Sequence, residues 1–180
     1  MSEQFIGEYI QKSSERYQKT IAFLSDKIDK EESILDLGPS NPLSDQIKSL
    51  GYDIQNTALG LDLDLDNQSV IDSKCDVLTA FEIFEHLVSP FPILKETKAK
   101  KLIASVPLRL WFSTAYWNEK DPFDRHYHEF EPRQFDMLLD KAGWKILDSQ
   151  KWVDKANKIG LRPILRRFVP RHYIVYCERK

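Results

Sequence analysis

Between Phe5 and Ile28 the apolar residues fall at Phe5, Ile6, Tyr9, Ile10, Tyr17, Ile21, Phe23, Leu24 and Ile28, with charges between them. That broadly helical spacing predicts one or two amphipathic helices. The texture then changes. Ser33-Ile-Leu-Asp-Leu-Gly38 is a short apolar run ending in glycine, the pattern of a buried strand entering a tight turn. Leu43 to Leu50 suits a helix, with Asn41 or Ser44 available as a cap and Gly51 just past its end. Tyr52 to Thr57 reads as a second strand, and Leu61-Asp-Leu-Asp-Leu-Asp66, which alternates strictly, as a third or its approach. Asp76 to Phe81 reads as a fourth, running into Glu82 to Leu87 as the start of a short helix.

Pro90 to Lys98 reads as the helix before the next strand, Lys101 to Val106, which Pro107 stops. An aromatic-rich loop spans Trp111 to Phe130. A helix with proline in its first turn then runs from Glu131 to Lys141, closed by Gly143. Trp144 to Asp148 and His172 to Glu178 complete the strands. Seven strands alternating with helical segments predict an α/β, doubly wound, mostly parallel sheet with helices on both faces.

The length of 180 residues fits one domain covering 1–180, with residues 1–30 as an N-terminal helical segment and 151–171 as an insertion before the last strand. A hydrophobic content of 42% supplies a real core, and a formal net charge of −2 gives no global pull towards nucleic acid, which is not an expected partner. Cys75 and Cys177 lack metal-site spacing and sit among β-forming residues, so both read as small buried hydrophobes. With no signal peptide in view and no apolar stretch near the roughly 20 residues that span a bilayer, a reducing cytoplasm is the expected location.

The insertion has its own charge. Lys151, Lys155, Lys158, Arg162, Arg166, Arg167 and Arg171 stand against Asp154 alone, interleaved with Ile159, Leu161, Ile164, Leu165, Phe168 and Val169. Such a segment is either a solvated helical insertion or a surface for peripheral contact with an anionic membrane or an anionic acceptor.

In an open sheet of this class, ligands bind beyond the carboxyl ends of the strands, where strand order reverses. Three segments end there: Asp36-Leu-Gly38 to Pro42, Phe81-Glu82, and Val106-Pro107 with its loop. Read together they carry a resemblance. Ile34-Leu-Asp-Leu-Gly38 resembles the first strand and glycine turn of the S-adenosylmethionine-dependent methyltransferases. Asp76 to Leu87, with its Glu-His-Leu end, resembles their fourth strand and the helix start after it. Leu102 to Pro107 resembles the fifth, and His126-Tyr-His-Glu-Phe130 with Lys141-Ala-Gly-Trp144 resembles their later segments. The likeness runs from about Ser33 to Ser149.

That resemblance implies a Rossmann-like methyltransferase fold and S-adenosylmethionine as cofactor. It implies Asp36 near the cofactor's amino group and Gly38 where the backbone approaches it, with Ser40, Phe81 and Glu82 around them. The ribose-reading position falls at Thr57, where this chain has no acid, so Asp62 or Asp64 is the substitute carboxylate. Pro42 stands near a usual turn glycine and removes a backbone donor.

Methyl transfer mainly asks for alignment, and a base only for a protonated acceptor. His126, His128 and His86 are the candidate catalytic residues, with Arg125 available to an anionic acceptor. Glu82 and His86, four apart on the expected helix, could equally bond each other or a backbone carbonyl. His126 and His128 have a spacing that could hold a metal given a third ligand; none is visible, so no metal is expected. The aromatic loop is either a lid on an acceptor pocket or satellite core packing. The expected activity is methyl transfer to a small molecule or a glycan or lipid precursor. The alternative is a catalytically silent protein of the same fold acting as a binding or partner subunit.

Overall fold

The computed structural model describes residues 15–153, 165 and 167–180. The first part of the expected N-terminal helical segment and most of the basic insertion, with any membrane contact through it, lie outside these residues. Residues 15–25 form helix α1. In chain order there follow β1 (Ser33–Asp36), α2 (Pro42–Ser49), β2 (Asp53–Asn56), α3 (Gln68–Ile71) and β3 (Val77–Phe81). A 3₁₀ turn (Phe84–His86), α4 (Phe91–Glu96), β4 (Lys101–Pro107), α5 (Pro132–Lys141), β5 (Trp144–Trp152) and β6 (His172–Arg179) complete the described chain.

The strands form one sheet in the order β2-β1-β3-β4-β6-β5. β2, β1, β3 and β4 run parallel, while β6 is antiparallel to both β4 and β5. From β1 the chain moves outward to β2, then crosses back to lay β3 on the other side of β1. The strand order therefore reverses between β1 and β3, which opens a crevice at their carboxyl ends.

Side chains alternate between two cores. Leu78, Ala80, Leu102, Ala104, Val106, Val175 and Cys177 pack with α4 and α5 residues such as Leu94, Phe135 and Leu139. Ile34, Ile54, Val77, Ile103, Ile174 and Tyr176 pack with Phe23 and Leu24 of α1 and with Leu43 and Ile47 of α2. Helices thus cover both faces, and the doubly wound α/β class is as expected. Trp144 is buried at the start of β5, donating its indole N–H to the Leu94 carbonyl at 2.8 Å, with the Arg179 guanidinium stacked 4.0 Å from its ring.

One expected strand is absent. Leu61 to Asp66 is a turn, so the sheet of the described residues has six strands and not seven. The Asp62 carboxylate accepts the Asp64 N–H at 3.0 Å, and the Asp62 carbonyl accepts from Leu65 and Asp66. This local bonding closes the backbone on itself before it can join a ladder. Only Leu63 is buried, whereas Leu65 is 86% exposed, though strict alternation would put both on one face.

Candidate functional site

The crevice is built by the ends of β1 and β3. Asp36, the last residue of β1, is buried, and its carboxylate accepts the Thr79 hydroxyl at 2.6 Å and the Asn56 amide at 3.0 Å. Burial raises its pKa to about 7, offset only in part by those hydrogen bonds. No described cation forms an ion pair with it. Past Asp36, Gly38 turns the chain at φ 95°, a conformation that disfavours side chains, and a Cβ there would stand 3.1 Å from Ile83 Cδ1. Asn41 then caps α2, accepting from Leu43 and Ser44 N–H while Ser44 Oγ accepts the Asn41 N–H. Pro42 occupies the first helical turn, where its missing donor costs nothing, and it does not enter the crevice.

Across from Asp36, Glu82 follows β3 with φ 57°, the one non-glycine residue with positive φ among those described. Such backbone strain in a strand-end residue concentrates at functional sites. The turn aims its carboxylate at Ser105 Oγ (2.9 Å), His172 Nδ1 (3.2 Å) and the Arg16 guanidinium (3.4 Å). Burial opposes its ionisation, but His172, Arg16 and Ser105 outweigh it and hold the carboxyl down to about 2. Between these carboxylates lies a cavity of about 240 Å³, walled by Asp36, Gly38, Pro39 and Asn41 on one side and by Phe81, Glu82, Ile83 and Ser105 on the other. Arg16, Tyr17 and Thr20 of α1 cover it.

Four of the expected cofactor residues, Asp36, Gly38, Phe81 and Glu82, therefore meet around one cavity. Thr57 supports it from behind, its hydroxyl accepting the Gly38 N–H at 2.8 Å. Ser40 bonds the Asp45 carboxylate and is not in the lining. Asp62 and Asp64 are not in the lining either, and the Asp64 carboxylate instead takes the Val88 and Ser89 N–H groups at 2.8 and 2.9 Å. Sequence reasoning missed Arg16, Tyr17 and Thr20, because helical spacing reveals an apolar face but not what that face docks against. It also missed Asn56, whose amide binds both the Asp36 carboxylate and, at 3.3 Å, the Gly38 carbonyl.

His86 ends the 3₁₀ turn after β3, and His126 comes to lie beside it. Glu82 and His86 do not bond each other, because the turn begins after Glu82. His86 donates its Nδ1–H to the Arg125 carbonyl at 3.1 Å, the backbone alternative expected for it. Its Nε2 faces the buried Glu85 carboxylate at 3.7 Å. His126 donates Nδ1–H to Glu129 at 3.2 Å and stands edge-on to His86, 4.9 Å between ring centroids. Burial, and then His86 beside it, lowers the His126 pKa. Burial, and then the Glu82 charge, raises that of Glu85 well above the carboxylate range. His128 goes elsewhere, bonding the Val88 carbonyl and stacking on Phe130.

The loop over these groups is tied down by the Tyr127 and His128 N–H groups, which both reach the Glu85 carbonyl. Its tip is knitted by Tyr116 and Asn118 on Asp124, and Arg125 lies over the Trp117 ring at 4.5 Å. Leu108, Leu110 and Phe130 anchor the loop in the core, whereas Trp111, Trp117 and Phe123 are exposed. The ends of the aromatic loop are thus core packing, and its tip is surface.

No protein-family model and no curated protein sequence matches the chain. Solved structures do. A SAM-dependent methyltransferase from Methanosarcina mazei aligns with a TM-score of 0.59 at 11% identity, covering 87% of this chain and 96% of that one. Another, from Archaeoglobus fulgidus, aligns at 0.57 and 14% identity over 96% and 94% of the two chains. A glycopeptide N-methyltransferase solved with S-adenosyl-L-methionine bound aligns at 0.56 and 9% identity, over 91% and 87%. The chain has the Rossmann-like fold of the S-adenosylmethionine-dependent methyltransferases.

Proposed function

We propose that this chain is an S-adenosylmethionine-dependent methyltransferase acting on a small molecule or a glycan or lipid precursor, with the cofactor seated between the ends of β1 and β3. One observation carries the reading: a buried carboxylate, Asp36, faces a cavity at the topological switch point with no cation paired to it among the described residues. A cationic ligand group would relieve the cost of that burial, and the amino group of the cofactor is one. Gly38 supplies the positive-φ turn that forms the cavity wall, and its neighbours fit the ligand by lining the crevice with polar groups. The cofactor, when bound, supplies a methyl group already activated on a sulfonium.

The chain's own task is then placement. Glu82, held ionised by His172, Arg16 and Ser105, fixes the far wall of the crevice. His126 and His86 are the groups within the neighbouring cluster that can take a proton from an acceptor hydroxyl. His128 is less suited, since its Nε2 is engaged by the Val88 carbonyl. The acceptor site proposed is the space under the loop from Trp111 to His128, with Arg125 drawing an anionic acceptor. Cys75 and Cys177 are free thiols, which fits a reducing cytoplasm. Among the described residues no helix is long and apolar enough to cross a membrane.

A second reading, a silent scaffold of the same fold, is favoured by Asn56 and Thr57, whose side chains already satisfy the Gly38 carbonyl and N–H. Titration calorimetry with S-adenosylhomocysteine separates the two. The methyltransferase reading expects saturable heat at micromolar ligand that Asp36→Ala weakens by at least about tenfold, the worth of one charge-assisted bond. Absence of heat at millimolar ligand supports the scaffold.

A further inference from the structure

Glu85, His86 and His126 bring one carboxylate oxygen and two ring nitrogens within 4.8 Å of one another, and nothing in the crevice chemistry uses them as a group. Two of the three come from the 3₁₀ turn after β3. The third arrives forty residues later, on the loop whose backbone is pinned to the Glu85 carbonyl.

Each side chain is prepared for the same task. A backbone carbonyl and a carboxylate can only accept, so the partners of His86 (Arg125 carbonyl) and His126 (Glu129) fix the proton of each ring on Nδ1. That leaves Nε2 of each imidazole with its lone pair unprotonated. Metal-ligating histidines are oriented in this way, with the second ring nitrogen donating to a carbonyl or carboxylate. Glu85 supplies an independent sign. It is 1% exposed, and its Oε2 has no hydrogen-bond partner among the described residues, although an unsatisfied buried carboxylate oxygen is costly. Its other oxygen lies towards His86 Nε2.

We propose that Glu85, His86 and His126 bind a divalent first-row transition ion of zinc's kind, with at least one coordination position left open. Two imidazoles and one carboxylate are the donor set of three-ligand zinc sites, in which water or a substrate oxygen takes the fourth position. Imidazole donors select zinc, cobalt or nickel over magnesium and calcium, which prefer all-oxygen shells. Bonds of about 2.0–2.1 Å put tetrahedral ligands about 3.4 Å apart. Closing from the observed separations therefore asks for movement of about an ångström at side-chain ends, on a turn and a loop already tied together. The ion site does not depend on cofactor binding. On the methyltransferase reading, its open position receives an oxygen of the acceptor, and with the ion bound His86 and His126 serve as ligands in place of their proposed proton-accepting role.

The test is metal titration of the full chain. Zinc chloride followed by calorimetry is expected to show one site of micromolar affinity or tighter, with magnesium at the same concentration giving none. Cobalt(II) is expected to give visible d–d absorption of four- or five-coordinate strength on the wild-type protein alone. Glu85→Gln and His126→Gln, both near-isosteric and checked for folding by circular dichroism, are expected to weaken zinc at least about tenfold. His128→Ala is expected to leave zinc binding unchanged. Zinc that fails to bind, a cobalt spectrum of six-coordinate intensity, or affinity indifferent to both glutamine variants would overturn the site. S-adenosylhomocysteine binding measured on the same samples reports separately on the cofactor reading.

Discussion

Replacing Asp36 by asparagine tests the electrostatics of the crevice without any ligand. The substitution is nearly isosteric. The carboxamide oxygen introduced by Asp36→Asn can keep the Asn56 amide bond, and its NH₂ can donate to the Thr79 hydroxyl, which rotates to accept. What disappears is the titration. The wild-type carboxyl has its pKa raised from 3.8 to about 7, chiefly by burial. The folded state therefore holds this proton more tightly than the unfolded chain does. The stability this contributes is complete below about pH 4 and is lost as pH rises through about 7. A rise of roughly three units, at 1.36 kcal/mol each, makes the loss about 4 kcal/mol. Urea denaturation of both proteins at intervals from pH 4 to pH 8 isolates it, because other titrating groups are shared. The stability of Asp36→Asn minus that of wild type is expected to grow by about that amount across the window. Curves that stay parallel would mean that Asp36 ionises as freely as an exposed carboxyl, and the argument from its burial would fail.

Other perturbations read other parts of the fold. Gly38→Ala, at φ 95° and with Ile83 Cδ1 3.1 Å from the new Cβ, is expected to cost about 1–2 kcal/mol in denaturant titration and to weaken S-adenosylhomocysteine. Asn41→Ala removes the acceptor for two N–H groups at the start of α2 and is expected to lower stability by about 0.5–2 kcal/mol. Glu82 has its pKa depressed to about 2, so the stability it contributes is present above its unfolded value of 4.5 and lost as pH falls towards 2. Glu82→Gln is expected to flatten that part of the acid-denaturation curve. Trp144→Phe strands the Leu94 carbonyl in the core and opens a void beneath Arg179, with an expected loss of about 2–4 kcal/mol by thermal or chemical unfolding.

The readability of this chain divides along physical lines. β1, β3 and β4 are legible because strands buried on both faces must be apolar almost throughout, and runs such as Val77–Phe81 and Lys101–Pro107 are. The cap at Asn41 is legible because it is local. Leu61 to Asp66 misleads because alternation signals a strand only when the backbone is free to extend, and Asp62 binds its own chain first. Glu82 and His86 show the same limit at one residue: helical spacing allows them to meet or to bond the backbone, and a positive φ at Glu82 sends its carboxylate to His172, some ninety residues away, while His86 takes the Arg125 carbonyl. Of the candidate site, the crevice residues Asp36, Gly38, Phe81 and Glu82 could be found because the strand ends carry them. Neither the α1 cover nor the approach of His126 to Glu85 could be, since both are long-range contacts with no local signature.

The proposed seat of an adenosyl sulfonium between β1 and β3 is most directly tested by amide chemical-shift mapping during titration of the ¹⁵N-labelled chain with S-adenosylhomocysteine. Saturable shifts centred on Leu37, Gly38, Asn56 and Glu82, with little change at α5 or β5, are the expected result. No shifts at millimolar ligand, or shifts centred away from the ends of those two strands, would contradict it.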